Sequence, residues 1–173
     1  MSNTLLDSVF PLTDEPLNSK GERLYILEEA SVSLIRTFIS NLVKYKIVPA
    51  LRNHCQDDIT ELCALTTMSN LPWPEAAMNE IRKDIHTSCH LIFSPSNFRQ
   101  YLKTFGFTTI DKGAARVILR VIQWVSLAIY QDIQDYKQNV MGSKLLIDPI
   151  KVLEALREDE IICDILRGLM LKD

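Results

Sequence analysis

His86, Cys89 and His90 come closest, in type and spacing, to a chemical site in this chain. Residues four apart share a helix face, so His86 and His90 would stand side by side with the Cys89 thiol near them, and His54 or Cys55 could join from a distance. Zinc requires three or four ligands in a fixed geometry, and only two or three are close in sequence. The pattern therefore reads as helix-surface histidines beside a buried thiol, and no metal is expected. The four cysteines Cys55, Cys63, Cys89 and Cys163 form no Cys-x-x-Cys pair, which suits buried or free thiols in a reducing compartment. No stretch resembles a nucleophile elbow, a glycine-rich phosphate loop or a metalloprotease helix, so the expectation is a non-enzyme with no cofactor. Glu158-Asp159-Glu160 is an acidic cluster, to be read as a solvated turn or as a contact for a basic partner. Trp73, between two prolines, is a core plug or an exposed anchor, and Trp124 should pack beside a helix face.

Composition narrows the function classes further. The chain has 173 residues, 47% of them hydrophobic and 24% charged, enough to bury a sizeable core in one compact domain or two small packed units. A formal charge of −3 is far from that of a protein whose main task is neutralising phosphates, so any DNA contact must be local or weak. The start, Met1 to Asp7, has neither the basic and apolar regions of a signal peptide nor an arginine-rich transit pattern, and an intracellular location is expected. The most apolar stretch, Val117 to Ile133, is broken by Arg120, Gln123, Gln131 and Asp132, so neither a membrane span nor a membrane partner is expected.

The elements that would position these residues are helices. After a segment marked by Pro11, Pro16 and Gly21, apolar residues recur at Ile26, Leu27, Ala30, Leu34, Ile35, Phe38, Leu42 and Val43, a helical period that Pro49 should kink or end. A shorter helix is predicted over Asp57 to Met68, with Asp57 or Asp58 as its cap and Ile59, Leu62, Cys63 and Leu65 facing inward. Ser69 to Pro74 reads as a loop and Glu75 to Leu91 as helix. In the second half, Ser94-Pro95 starts a helix that stops at Gly106, and Phe107 to Ile110 is extended. A long helix then runs from Asp111, with Ala114, Val117, Ile118, Val121, Ile122, Val125, Ala128, Ile129, Ile133 and Tyr136 on one face. Gly142-Ser143 ends it, Lys144 to Ile147 is extended, Asp148-Pro149 caps another helix, and Ile161 to Leu171 adds a last one.

Short helix, connector, long helix, connector, short helix is an order with a known counterpart. The run Ser94-Pro95-Ser96-Asn97-Phe98-Arg99-Gln100-Tyr101-Leu102-Lys103-Thr104-Phe105-Gly106, with Ile110 and Gly113-Ala114-Ala115, resembles the first helix, loop and long-helix start of histone-fold transcription factors. Lys144-Leu145-Leu146-Ile147 and Val152-Leu153-Glu154-Ala155-Leu156 resemble the second loop and third helix. The likeness covers about residues 94 to 158 and rests on pattern more than identity. Lys151 stands where the family usually has an Asp and Leu146 where it has a Thr, so the usual clamp is absent or rebuilt from Asp148 and Lys144.

The resemblance implies an all-α protein with a histone fold over residues 94–173, packed against an N-terminal helical segment over residues 1–93. Glu28 to Ser31, a long helix, Asp58-Ile59-Thr60 and a short helix suggest that the first segment is a degenerate second copy, a tandem histone-fold pseudodimer. The simpler expectation is that the N-terminal helices just cover the fold. An isolated histone fold leaves its long-helix face too apolar for water, so Val117, Val121, Ile122, Val125, Ile129 and Ile133 are the expected interface for a protein partner: a histone-fold subunit, a second copy, or the chain's own first half. By the same resemblance, Lys103, Lys112, Arg116, Lys144 and Lys151 are the candidate nucleic-acid contacts. The function implied is a non-enzymatic, histone-like scaffold in a nuclear chromatin or transcription assembly. The alternative is an all-α helical-bundle regulator that holds a partner's amphipathic helix in a groove.

Overall fold

In the computed structural model, described over residues 4–84 and 91–169, the chain is all-α, and its two halves spell the same order of elements. The first half runs α1 (Thr4–Val9), β1 (Ile26–Leu27), α2 (Glu29–Leu42), a π-helical stretch (Val43–Ile47), α3 (Val48–Cys55), β2 (Asp58–Ile59) and α4 (Glu61–Ser69). α5 (Glu75–Asp84) leads toward the second half: α6 (Pro95–Lys103), β3 (Thr109–Ile110), α7 (Lys112–Tyr136), a π-helical stretch (Lys137–Met141), β4 (Leu146–Ile147) and α8 (Pro149–Arg157). α9 (Glu160–Ile165) follows α8. The first half thus repeats the element order of the second.

The halves clasp crosswise. β1 pairs in parallel with β4, Ile26 opposite Leu146 and Leu27 opposite Ile147; β2 pairs in parallel with β3, Asp58 opposite Thr109 and Ile59 opposite Ile110. Each connector of one half is thus hydrogen-bonded to the other connector of its partner half. At one end Ile26 N–H donates to Leu145 O at 2.8 Å, and at the other Asp111 N–H donates to Ile59 O at 2.9 Å. Ser31, fully buried in the first turn of α2, donates its hydroxyl to Ile147 O at 2.7 Å and ties α2 to the same strand.

Pro49 does not end the first central helix, which continues to Cys55. Just ahead of it Val48 N–H donates five residues back to Val43 O, and Pro49 then falls in the first turn of α3. The π turn widens the ladder just ahead of the ring, and Pro49 itself lies on the exposed side. Ala30 points outward; the buried line is Ser31, Val32, Ile35, Phe38, Ile39 and Leu42, continued by Val43, Ile47 and Leu51.

The next helix also starts later than predicted. Asp58 is held in β2, Thr60 caps α4 by accepting from Cys63 N–H, and Leu62 lies 75% exposed while Ala64, Thr67 and Met68 face the core. α5 is described from Glu75 to Asp84 and Leu91 is outside any helix; the rest of the helix predicted to Leu91 lies outside the described residues. In the second half Ser94 and Asp148 cap α6 and α8 by accepting from Asn97 N–H and Lys151 N–H.

α7 is the axis on which these elements meet. α4 and α5 from the first half and α6 and α8 from the second all pack on it. The N-terminal segment is anchored by Phe10, buried against Phe93, Phe98 and Tyr101 with T-shaped contacts to Phe93 and Tyr101. A single hydrophobic cluster runs through both halves, each large side chain buried in it stabilising the fold by about 2 kcal/mol relative to exposure.

Candidate functional site

The α7 face expected to bind a partner is already covered. Val117, Ile122, Val125, Ile129 and Ile133 are 0% exposed and Val121 is 1% exposed within the single chain. As a docking surface for another molecule this assignment is corrected: the chain's own first half supplies the partner, mainly through α4. The same packing explains a feature of hydropathy. An 18-residue window within the helical run Lys112–Met141 reaches a mean hydropathy of 1.3, enough to cross a membrane by length and composition alone, and more than half of that window is buried inside the chain, as in a core helix.

The five basic candidates do not form one patch. Lys103, Lys112 and Arg116 lie toward the β2–β3 end and are exposed; Lys144, exposed, and Lys151, half-buried, belong to the β4–α8 end. The 30-residue helical run between them spans about 45 Å. Carboxylates share both ends. Lys151 pairs with Asp148 at 3.2 Å within the first turn of α8. Hydrogen bonding from the Lys151 amide and ammonium holds the Asp148 carboxyl below its ordinary value. At the other end Thr109 donates to Asp58 at 2.6 Å, and Glu61 lies so close to Gly113 that a Cβ there would stand 2.5 Å from its carboxylate oxygen. A side chain at position 113 would require the flexible Glu61 side chain to move aside.

Glu158-Asp159-Glu160 borders an acidic cleft of about 730 Å3 between the end of α7, α8 and α9. Asp132, Asp135, Glu154, Glu158, Asp159 and Glu160 line it, with Val140 and Ile161 exposed at 64% and 49%. Asp159 is not simply solvated: it caps α9 by accepting from Ile162 N–H at 3.0 Å. One carboxyl oxygen of Asp132 is fully buried with no protein donor among the described residues. Burial, then a hydrogen bond with the Asp159 carboxyl, push Asp132 up to about 8. Tyr136 donates to Glu154 across the same cleft.

Two of the cysteines depart from the expectation of free thiols. Cys55 and Cys63 form a disulfide with a Cα–Cα distance of 5.9 Å, joining the end of α3 to the first turn of α4. Their apposition follows from the tight β2 connector, which folds the chain back within eight residues. Cys55 is therefore no thiolate for a metal, and His54 is exposed. Cys163 is a free thiol that donates to Leu156 O at 3.0 Å, its pKa raised by burial and by Asp159. His86, Cys89 and His90 lie outside the described residues. No group of three His, Cys, Asp or Glu side chains placed to hold a metal ion occurs among the described residues.

A second concavity escaped sequence reading. Pro11, Leu12, Pro16, Leu17, Leu24 and Tyr25 of the α1–β1 segment, with Ile92, Leu127 and Tyr130, line a groove of about 830 Å3. Tyr25 donates to Tyr130 O at 3.0 Å and Tyr130 donates to Thr13 O at 2.8 Å, fixing its wall. Only the prolines hinted at it, because a loop that packs by scattered single residues has no period to read. Trp73 is buried, a core plug, and Trp124 packs partly buried on the core. No protein-family model matches this chain, and no curated protein matches it in sequence.

Proposed function

We propose that the chain is a non-enzymatic, histone-like scaffold: a tandem pair of histone-fold units in one polypeptide, serving in a nuclear chromatin or transcription assembly. The observation that carries this reading is the crosswise parallel pairing, β1 with β4 and β2 with β3, of two helix–strand–long helix–strand–helix units. A pair that satisfies its own long-helix faces needs no second chain to be stable, so its partners meet its outer surfaces. DNA, if contacted, is held weakly, since the basic residues are divided between two ends and accompanied by carboxylates.

Light scattering on the purified chain should give a folded monomer of 19.8 kDa. An obligate oligomer, or a chain insoluble without a second subunit, would overturn the self-paired reading. Cell fractionation should place it with chromatin; a wholly cytoplasmic or membrane fraction would overturn the nuclear assignment.

The groove of about 830 Å3 supports the second reading, a helical-bundle regulator that holds a partner's amphipathic helix. Leu127, 53% exposed on its wall, discriminates: Leu127→Arg would abolish partner binding under this reading and leave a scaffold's assembly intact.

A further inference from the structure

Gln56 has φ 57° and ψ −119°, a conformation that residues with a Cβ seldom adopt, and it is the one described non-glycine residue at positive φ. At the equivalent turn of the second half, the end of the other central helix, Gly142 has φ 61° and ψ −121°. The same turn is thus built once with the residue that suits it and once with a residue that does not. What differs nearby is a cross-link: Cys55, immediately before Gln56, is bonded to Cys63 beyond β2. A strained residue persists only when its surroundings over-determine it.

We propose that Cys55 and Cys63 are a thiol–disulfide exchange site, a redox clasp that holds the Gln56 turn and thereby fastens β2 and α4 to the second half. Both residues are partly exposed, which places the bond at the edge of the core. Cys63 sits in the first turn of the nine-residue α4, its amide bound to the Thr60 hydroxyl at 3.2 Å. The positive end of the helix stabilises a thiolate there, which makes Cys63 the better leaving group. The reductant is a dithiol. One of its thiolates attacks Cys55 Sγ, the S–S bond breaks, and its electron pair leaves on Cys63 as thiolate, with a mixed disulfide on Cys55. The second thiol of the reductant then attacks its own sulfur in that mixed disulfide and frees Cys55. Two electrons and two protons pass to the chain, and the reductant closes into a cyclic disulfide. With the clasp open, Gln56 relaxes and β2 parts from β3, while β1 and β4 at the opposite end stay paired.

The test uses the full chain, alkylated before and after dithiothreitol and followed by peptide mass spectrometry and amide hydrogen exchange. Before reduction, residues 55 and 63 should be recovered as one cross-linked species. After reduction, exchange over 58–69 should rise at least tenfold, with 26–27 and 146–147 unchanged. Brief exposure to glutathione, a monothiol, should leave the mixed disulfide on Cys55 and a free Cys63. Reduced Gln56→Gly should keep its protection over 58–69, because the glycine needs no clasp, and this variant reads the strain even where the reduced parent unfolds. Alkylation of both cysteines in chain never exposed to reductant overturns the proposal. So do unchanged exchange on reduction, glutathione found on Cys63, or a reduced Gln56→Gly that loosens as much as the reduced parent.

Discussion

The ends of the two central helices carry the same backbone turn, followed in each half by a two-residue strand and a capped helix, yet they are made from different materials. After α7 the turn is Gly142, then β4, then α8 capped by Asp148; after α3 it is Gln56, then β2, then α4 capped by Thr60, with a disulfide across it. One half meets the geometry with local residue preferences and the other imposes it by covalent and tertiary contacts, Arg52 among them, which stacks on Phe107 and donates to Phe105 O. The lesson is that two segments can share a fold while differing in which level of structure enforces it.

The severest test of this pairing is the shared axis. Ile122→Asp places an unpaired carboxylate at a fully buried position and should cost several kcal/mol, lowering the melting temperature of a species that remains monomeric. Gln131→Ala, exposed on the same helix, should change stability by less than about 0.5 kcal/mol in the same denaturation series. Equal midpoints for the two variants would show that the halves do not meet on this face.

The acidic cleft belongs to the second half alone and should give that half a pH dependence. Asp132 in the folded chain sits at about 8 against an ordinary 3.8, so the folded state binds the proton more tightly than the unfolded one. Its contribution is complete below the ordinary value and is lost as pH rises through about 8. Urea midpoints should therefore fall from pH 5 toward pH 9, and Asp132→Asn, which keeps a donor for Asp159 without titrating, should flatten that decline. A parent chain equally stable at both pH values would show that Asp132 is not raised in the fold.

The two turns predict opposite signs. Gly142→Ala should destabilise by about 1 kcal/mol, since no neighbour obstructs a Cβ and only the positive φ resists it, whereas Gln56→Gly should stabilise by a similar amount. Thermal melts giving the same sign for both would break the equivalence of the turns. Smallest is the contrast between the caps: Thr60→Ala should cost about 1 kcal/mol, and Asp148→Ala slightly more, because a carboxylate at a helix N-terminus also gains from the dipole. Equal losses in both, insensitive to salt, would mean that the charge adds nothing.

The second half was largely legible because its signals are local. Ser94-Pro95, Gly106, Gly142 and Asp148-Pro149 each specify a cap or a stop through their own backbone preferences, and the apolar period of α7 survives 25 residues. The first half was less so. Pro49 signals a break to any local reading, and only packing on both sides lets a π turn absorb it. Leu62 and Ala30 count as core by type, yet they face outward because β1 and β2 set the rotation of the helices that follow. Thr60 was overlooked as a cap because Asp57 and Asp58 are equally good formers and only the pairing with Thr109 removes Asp58 from the competition.

Composition, period and capping residues by themselves determined that this chain is helical and where most of its helices lie, because those properties depend on neighbours three or four residues away. Tertiary structure decided the rest. Whether Val117 to Ile133 is an open interface or an interior depends on what covers it, and that cover comes from α4, about 50 to 70 residues earlier in the chain. Cys55 and Cys63 become a bond, and the Asp132 carboxyl is pushed up beside Asp159, only when the fold brings together groups whose spacing in sequence carries no such instruction.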